Sequence, residues 1–140
     1  MDDCFIPECY IDTMLIETIA PPGKSGYNHQ KGCGTVTKVM KEKFVDRFAV
    51  GIIDKDKREV DYLNEFFTIT KNDSLLLHKH NNRHHYIIQI NPAMERFIMK
   101  SADDVGISLA NFNLPTNLGS FSKVSKTINT KKDHRFKQLF

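Results

Sequence analysis

Phe48-Ala49-Val50-Gly51-Ile52-Ile53-Asp54-Lys55-Asp56 decides how the rest of the chain reads. From Phe48 to Ile53 every residue is apolar or glycine, and the run then stops abruptly in Asp-Lys-Asp-Lys-Arg. A strand that buries one face alternates apolar and polar side chains. An unbroken run of this length belongs instead to a strand covered on both faces. That is the setting of a central strand in a parallel sheet with helices on either side. Asp54 and Asp56 leave the strand separated by one residue.

Upstream of this strand, Gly32-Cys33-Gly34-Thr35 opens a helix predicted over Val36–Phe44, with Thr35 as its N-cap. Before it lies a polar loop, Lys24–Lys31, and before that Pro21-Pro22-Gly23, which ends an earlier helix. In that helix Ile11, Leu15 and Ile19 recur at helical spacing, and Cys4-Phe5-Ile6 reads as the first strand. Downstream, a short helix is expected around Val60–Phe67. Ser74–His80 and Arg83–Ile90 read as strands joined by a two-residue Asn81-Asn82 turn. Asn91-Pro92 breaks the second of these, Ala93–Lys100 reads as a helix, and a last helix is expected through Lys131–Phe140. Strand, helix, helix, strand points to an α/β fold, with a mostly parallel central sheet flanked by helices.

The chain has 140 residues, 40% hydrophobic and 26% charged, which fits a single domain over 1–140 with its own core. No stretch approaches the ~20 apolar residues of a membrane span. The acidic N-terminus lacks the basic-then-apolar pattern of a secretion signal, so a cytoplasmic location is expected. Cys4, Cys9 and Cys33 are odd in number and form no Cys-x-x-Cys pair, which favours packed thiols over a disulfide framework. The net charge of +3 is unevenly spread. Residues 1–23 hold acids and no bases, whereas a basic C-terminal extension, about 120–140, holds Lys123, Lys126, Lys131, Lys132, Arg135 and Lys137. Such an end suits a polyanion such as nucleic acid, or is a solvated, frayed tail.

In open α/β sheets, ligands bind beyond the carboxyl ends of the strands. Glu8 follows the first predicted strand and Asp54 the central one, so parallel neighbours would deliver both acids to the same edge. Mg²⁺ and Mn²⁺ take hard oxygen ligands, usually one or two carboxylates completed by water and phosphate. Asp54 and Asp56 could reach one ion, with Glu8 binding a second or acting as a base. Lys55, Lys57 and Arg58 could neutralise phosphate. The plain alternative for an Asp-x-Asp after a strand is a solvated turn.

Glu8-Cys9-Tyr10-Ile11-Asp12, at the end of a strand and entering a helix, resembles the Glu-Gly-x-x-Asp motif of Toprim (topoisomerase–primase) domains. Val50-Gly51-Ile52-Ile53-Asp54-Lys55-Asp56 resembles the strand-then-Asp-x-Asp motif of the same family. Asn91-Pro92-Ala93-Met94-Glu95 is similar to a segment of small Toprim-like proteins related to the overcoming-lysogenization-defect nucleases. The resemblance covers about residues 4–100. It implies a compact, Rossmann-like Toprim fold and Mg²⁺- or Mn²⁺-dependent phosphodiester chemistry on nucleic acid. Glu8 would be the catalytic carboxylate and a metal ligand, with Asp54 and Asp56 as further metal ligands. Asp12, Glu95 and Lys126 are candidate supporting residues. Cys9 stands where the family has glycine, whose lack of a side chain lets backbone turn tightly beside the site.

His78, His80 and His85 fall on one face of the expected hairpin, with Arg83, as a candidate zinc set or a surface patch. Gly32-x-Gly34 before a helix could aim amides at a phosphate, but lacks the rest of a nucleotide fingerprint. The leading expectation is therefore a metal-dependent nuclease. The alternative is a catalytically silent module that keeps the fold and binds nucleic acid or a protein partner. A receiver phosphorylated at Asp54 would need paired acids directly after the first strand, which the Glu8 and Asp12 spacing does not supply.

Overall fold

The apolar run after Phe48 forms β2 (Ala49–Asp54), and all six of its residues are buried. The computed structural model describes residues 2–55 and 59–140. With β1 (Phe5–Pro7), β3 (Phe66–Lys71), β4 (Leu75–His80) and β5 (His85–Ile90), β2 builds a five-stranded sheet in the order β1-β2-β5-β4-β3. Among the described residues five α-helices accompany it: α1 (Tyr10–Ile19), α2 (Cys33–Lys43), α3 (Met94–Asp104), α4 (Leu118–Ser125) and α5 (His134–Leu139).

The lack of alternation in β2 has a direct cause, because successive side chains enter two different cores. Val50 and Ile52 pack with Ile11 and Met14 of α1, Met94 and Ile98 of α3, Phe121 of α4 and Phe136 of α5. Ala49 and Ile53 pack on the opposite side with Val36, Val39 and Met40 of α2. Gly51 lets α2 approach closely, since a Cβ there would sit 2.8 Å from Met40 Sδ and 3.0 Å from Val36 Cγ1.

β1 and β2 are parallel, as are β2 and β5, but β5–β4 and β4–β3 are antiparallel. The sheet is thus mixed, not mostly parallel as the sequence led us to expect. The difference comes largely from residues 60–67, where a helix was expected. Val60, Leu63 and Phe67 have helical spacing, yet the chain makes a 3₁₀ turn at Asp61–Glu65 and then the edge strand β3. That strand buries little, so burial imposes no alternating pattern on its sequence.

Three further expectations change. The β4–β5 register pairs Leu77 with Ile88 and Lys79 with Tyr86, which makes the connection longer than Asn81-Asn82. His80 Nδ1 accepts the N–H groups of Asn82 and Arg83, both at 3.0 Å, and so stabilises the wider loop. Helix α2 begins at Cys33 with Gly32, at φ 87°, as its N-cap, in place of Thr35. The basic C-terminal region is not a frayed extension: Phe121 and Phe136 are fully buried and meet edge-to-face at 5.7 Å. Among the described residues no helix is long and apolar enough to cross a membrane.

Candidate functional site

The site is assembled by the parallel pairing of the two strands that carry the acidic motifs. Pro7 lies opposite Ile52 at the ends of β1 and β2, and Glu8 N–H donates to Ile52 O at 3.1 Å. One pleat further on, Asp54 N–H donates to Glu8 Oε2 at 3.1 Å. Two acids 46 positions apart in sequence are thereby joined directly. Asp54 Oδ1 in turn accepts the N–H of Met94, the first residue of α3, at 3.0 Å. A carboxylate at a helix N-terminus is favoured by the unpaired amides and the helix dipole, so Asp54 both anchors α3 and is oriented by it. Glu8 and Asp54 are both buried.

Asp12 completes this acidic region from the first turn of α1. Its Oδ2 accepts Cys9 N–H at 3.1 Å in a capping-box arrangement. Its other oxygen, Oδ1, is buried with no hydrogen-bond partner. Burial, reinforced by the charges of Asp54 and Glu8 and opposed by the Cys9 hydrogen bond, raises the Asp12 pKa to about 7. The Cys9 thiol is pushed up too, first by burial and then by Asp12. Cys9 adopts ordinary extended backbone, φ −137° and ψ 176°, so this position does not need the freedom of glycine. Its half-buried side chain packs against the α1 side of the core and interacts with Asp12.

Glu95 is also buried, one residue after the Met94 amide, but its contacts run towards α4. Ser125 Oγ–H donates to Glu95 Oε1 at 2.8 Å, and Lys126 Nζ lies 3.9 Å from the same oxygen. Lys126 is largely exposed, so this ion pair contributes little to stability. Asp56, with Lys57 and Arg58, lies outside the described residues.

Hard oxygen donors at adjoining strand ends have the chemistry that Mg²⁺ and Mn²⁺ take. The Asp12 pKa is raised first by burial, and the charges of Asp54 and Glu8 add to it. Among the described residues, no group of three or more His, Cys, Asp or Glu side chains is arranged to hold a metal ion. Glu8 and Asp54 lie at adjoining strand ends, linked through the Asp54 backbone amide.

The histidines are brought together, as their spacing implied, but as part of the interior. His78, His80 and His85 are all buried, and both nitrogens of each ring have protein partners. His78 meets Thr68 at 3.1 Å and Gln89 at 3.2 Å. His80 meets Glu65 at 3.1 Å in addition to its two loop amides. His85 donates through Nε2 to Phe44 O at 3.2 Å and accepts the Tyr62 hydroxyl at 2.7 Å. Burial lowers the pKa of His78 and of His85. With their nitrogens engaged, these rings form a structural polar network rather than the zinc set or surface patch considered from sequence.

Sequence reasoning missed the Met94 amide and Ser125, neither of which has a chemical signature at the sequence level. It also missed His29, whose ring stacks on Tyr10 at 4.5 Å and whose Nδ1 lies 3.1 Å from Thr13 Oγ1. Comparison with protein-family models, curated proteins and solved structures finds no match, so the functional reading rests on this geometry and on the motifs.

Proposed function

We propose that the chain is a Toprim-like domain that cleaves phosphodiester bonds in nucleic acid using Mg²⁺ or Mn²⁺ held by Glu8 and Asp54, with Asp56 a further ligand by its place in the motif. The observation that carries this reading is the direct hydrogen bond from Asp54 N–H to Glu8 Oε2 at the carboxyl ends of two parallel strands. When bound, such an ion stabilises charge on the phosphate oxygens and makes water a better nucleophile. The chain's own contribution is orientation: Ile52 O fixes the Glu8 backbone, and the Met94 amide fixes the Asp54 carboxylate. Glu8 is the group assigned to accept a proton from the attacking water. In this reading Lys55, exposed beside Asp54, and Lys126, beside Glu95, are the cations assigned to phosphate charge. The proposed setting is the cytoplasm.

The second reading, a silent module that binds nucleic acid or a protein partner, is favoured by one observation. Among the described residues no group of three or more potential ligands is assembled, the Glu8 and Asp54 carboxylates each accept a backbone amide, and Asp12 is buried with a pKa raised to about 7. Incubation with plasmid, single-stranded DNA and RNA in Mg²⁺ or Mn²⁺ separates the two. The nuclease reading expects metal-dependent cleavage that Glu8→Gln and Asp54→Asn abolish. Cleavage unchanged in both variants would sink it. Absence of cleavage, together with salt-sensitive and EDTA-insensitive binding, would establish the silent module.

A further inference from the structure

Glu8 is flanked on one side by β2 and on the other by the loop that leads into α2. In that loop Gln30 N–H donates to Pro7 O at 3.0 Å and Gly32 N–H reaches Glu8 O at 3.5 Å, which sets Lys31 alongside the site. Next to it, the His29 ring stacks on Tyr10, two residues beyond Glu8, with centroids 4.5 Å apart. Lys131 approaches the same ring from the C-terminal region, its Nζ 5.8 Å from the Tyr10 centroid, a cation–π distance. The 3₁₀ turn that carries it, Ile128–Lys132, packs against α1. Thr130 pins that turn: it is fully buried, and its hydroxyl donates to Val124 O at 2.9 Å. Burial lowers the His29 pKa and the charges of Lys131 and Lys31 add to it, so two ammonium groups act on one neutral ring. Both lysines are exposed, and among the described residues neither has a carboxylate within ion-pair distance. Asp133, the acid nearest Lys131 in sequence, is taken by Arg135 at 2.6 Å.

We propose that Lys31 and Lys131 hold phosphates of a nucleic-acid strand on the α1 side of Glu8, with Tyr10 positioning Lys131. Two unpaired cations that converge on one spot repel each other, and a polyanion laid across both relieves that repulsion. Lysine meets phosphate as a point charge, and such contacts fix the register of a strand without reading its sequence. The inference rests on the reading of Glu8 and Asp54 as a phosphodiester site, which is what selects a nucleic acid among polyanions. It also gives a use to part of the basic C-terminal region: the turn at Ile128–Lys132 brings one of its charges back beside the acids of the N-terminal region.

The test is fluorescence anisotropy of a labelled, mixed-sequence single-stranded oligonucleotide of about 20 nucleotides, longer than a typical binding site. EDTA is present, so that binding is read without metal or cleavage. Lys31→Gln and Lys131→Gln should each weaken binding several-fold and reduce the slope of log K against log salt by about 0.7. Circular dichroism and melting should not change, because both side chains are exposed. Lys43→Gln, the same change of charge at the other end of α2, should bind as the wild type does. Tyr10→Phe, which keeps the ring, should also bind normally. Tyr10→Ala should weaken binding, but add little in a Lys131→Gln background. No binding by the wild type at low salt, or lysine variants no weaker than Lys43→Gln, would overturn the proposal. So would polyglutamate that displaces the oligonucleotide as well as unlabelled strand does, which would assign the lysines to an acidic protein. Metal-dependent cleavage judges the nuclease reading separately. Cleavage with normal binding in both lysine variants would sink this inference alone, whereas weakened binding with no cleavage in any metal would uphold it within the silent module.

Discussion

Replacing Asp12 with asparagine removes a buried charge while keeping an oxygen to accept Cys9 N–H. In the folded chain the Asp12 pKa is about 7, against an ordinary value of 3.8, because of burial and the charges of Asp54 and Glu8. A folded-state pKa above the unfolded one means that the native state binds the proton more tightly. The stability this group contributes is therefore present below the unfolded pKa and is lost as pH rises from about 4 through 7. The separation of about three pKa units corresponds to roughly 4 kcal/mol at pH 8, an upper figure because the site relaxes on ionisation. For a chain of this size that is on the order of 10 °C in melting temperature. Calorimetry of both proteins between pH 4.5 and 8.5 should show Asp12→Asn the more stable at pH 8, with a difference that shrinks steadily on acidification. If the difference were flat across this range, or if Asp12→Asn were the less stable at pH 8, the carboxylate would be ionising without penalty and the reasoning would fail.

Other outcomes follow from the same geometry. Gly51→Val should destabilise by about 1–3 kcal/mol or more in urea titration, because its side chain would collide with Val36 and Met40. Asp54→Ala should cost about 1–3 kcal/mol by leaving the Met94 amide unpaired, whereas Asp54→Asn, which retains an acceptor, should cost less. His78 and His85 have folded pKa values below 6.5, so the unfolded chain takes up the protons first and their contribution is lost as pH falls below about 6.5. In an Asp12→Asn background, where the opposing trend is gone, melting temperature should therefore fall on acidification below that point. His85→Phe should flatten the fall while destabilising the fold at neutral pH, since the Tyr62 hydroxyl and Phe44 carbonyl lose their partner.

The central strand was legible because burial on both faces leaves a mark in sequence that few other environments leave. Its partner β1 was legible from only a few residues, and the meeting of Glu8 with Asp54 followed from assuming that the two were parallel neighbours. The edge strand was not legible. Phe66–Lys71 packs on one neighbour only, and the helical spacing of Val60, Leu63 and Phe67 outweighed any strand signal. The hairpin register was missed for a different reason. A side chain, His80, satisfies the loop amides, and no local turn rule contains that contact. The last helix was legible, since α5 falls within the expected Lys131–Phe140, but α4 was not, because eight residues show too few turns for periodicity to emerge, and the basic charge pattern gave no sign that Phe121 and Phe136 are buried. At the site, residue types identified the acids, but only the fold distinguished the strand-end pair Glu8 and Asp54 from the inward-turned Asp12 and from Glu95, which faces α4.

Whether Glu8 and Asp54 share a cation is decided by an anomalous difference map from a crystal grown in Mn²⁺. The expected result is one peak within bonding distance of carboxylate oxygens from both Glu8 and Asp54, absent in Asp54→Asn. A map with no peak there, or with manganese bound elsewhere and unaffected by that substitution, would contradict it.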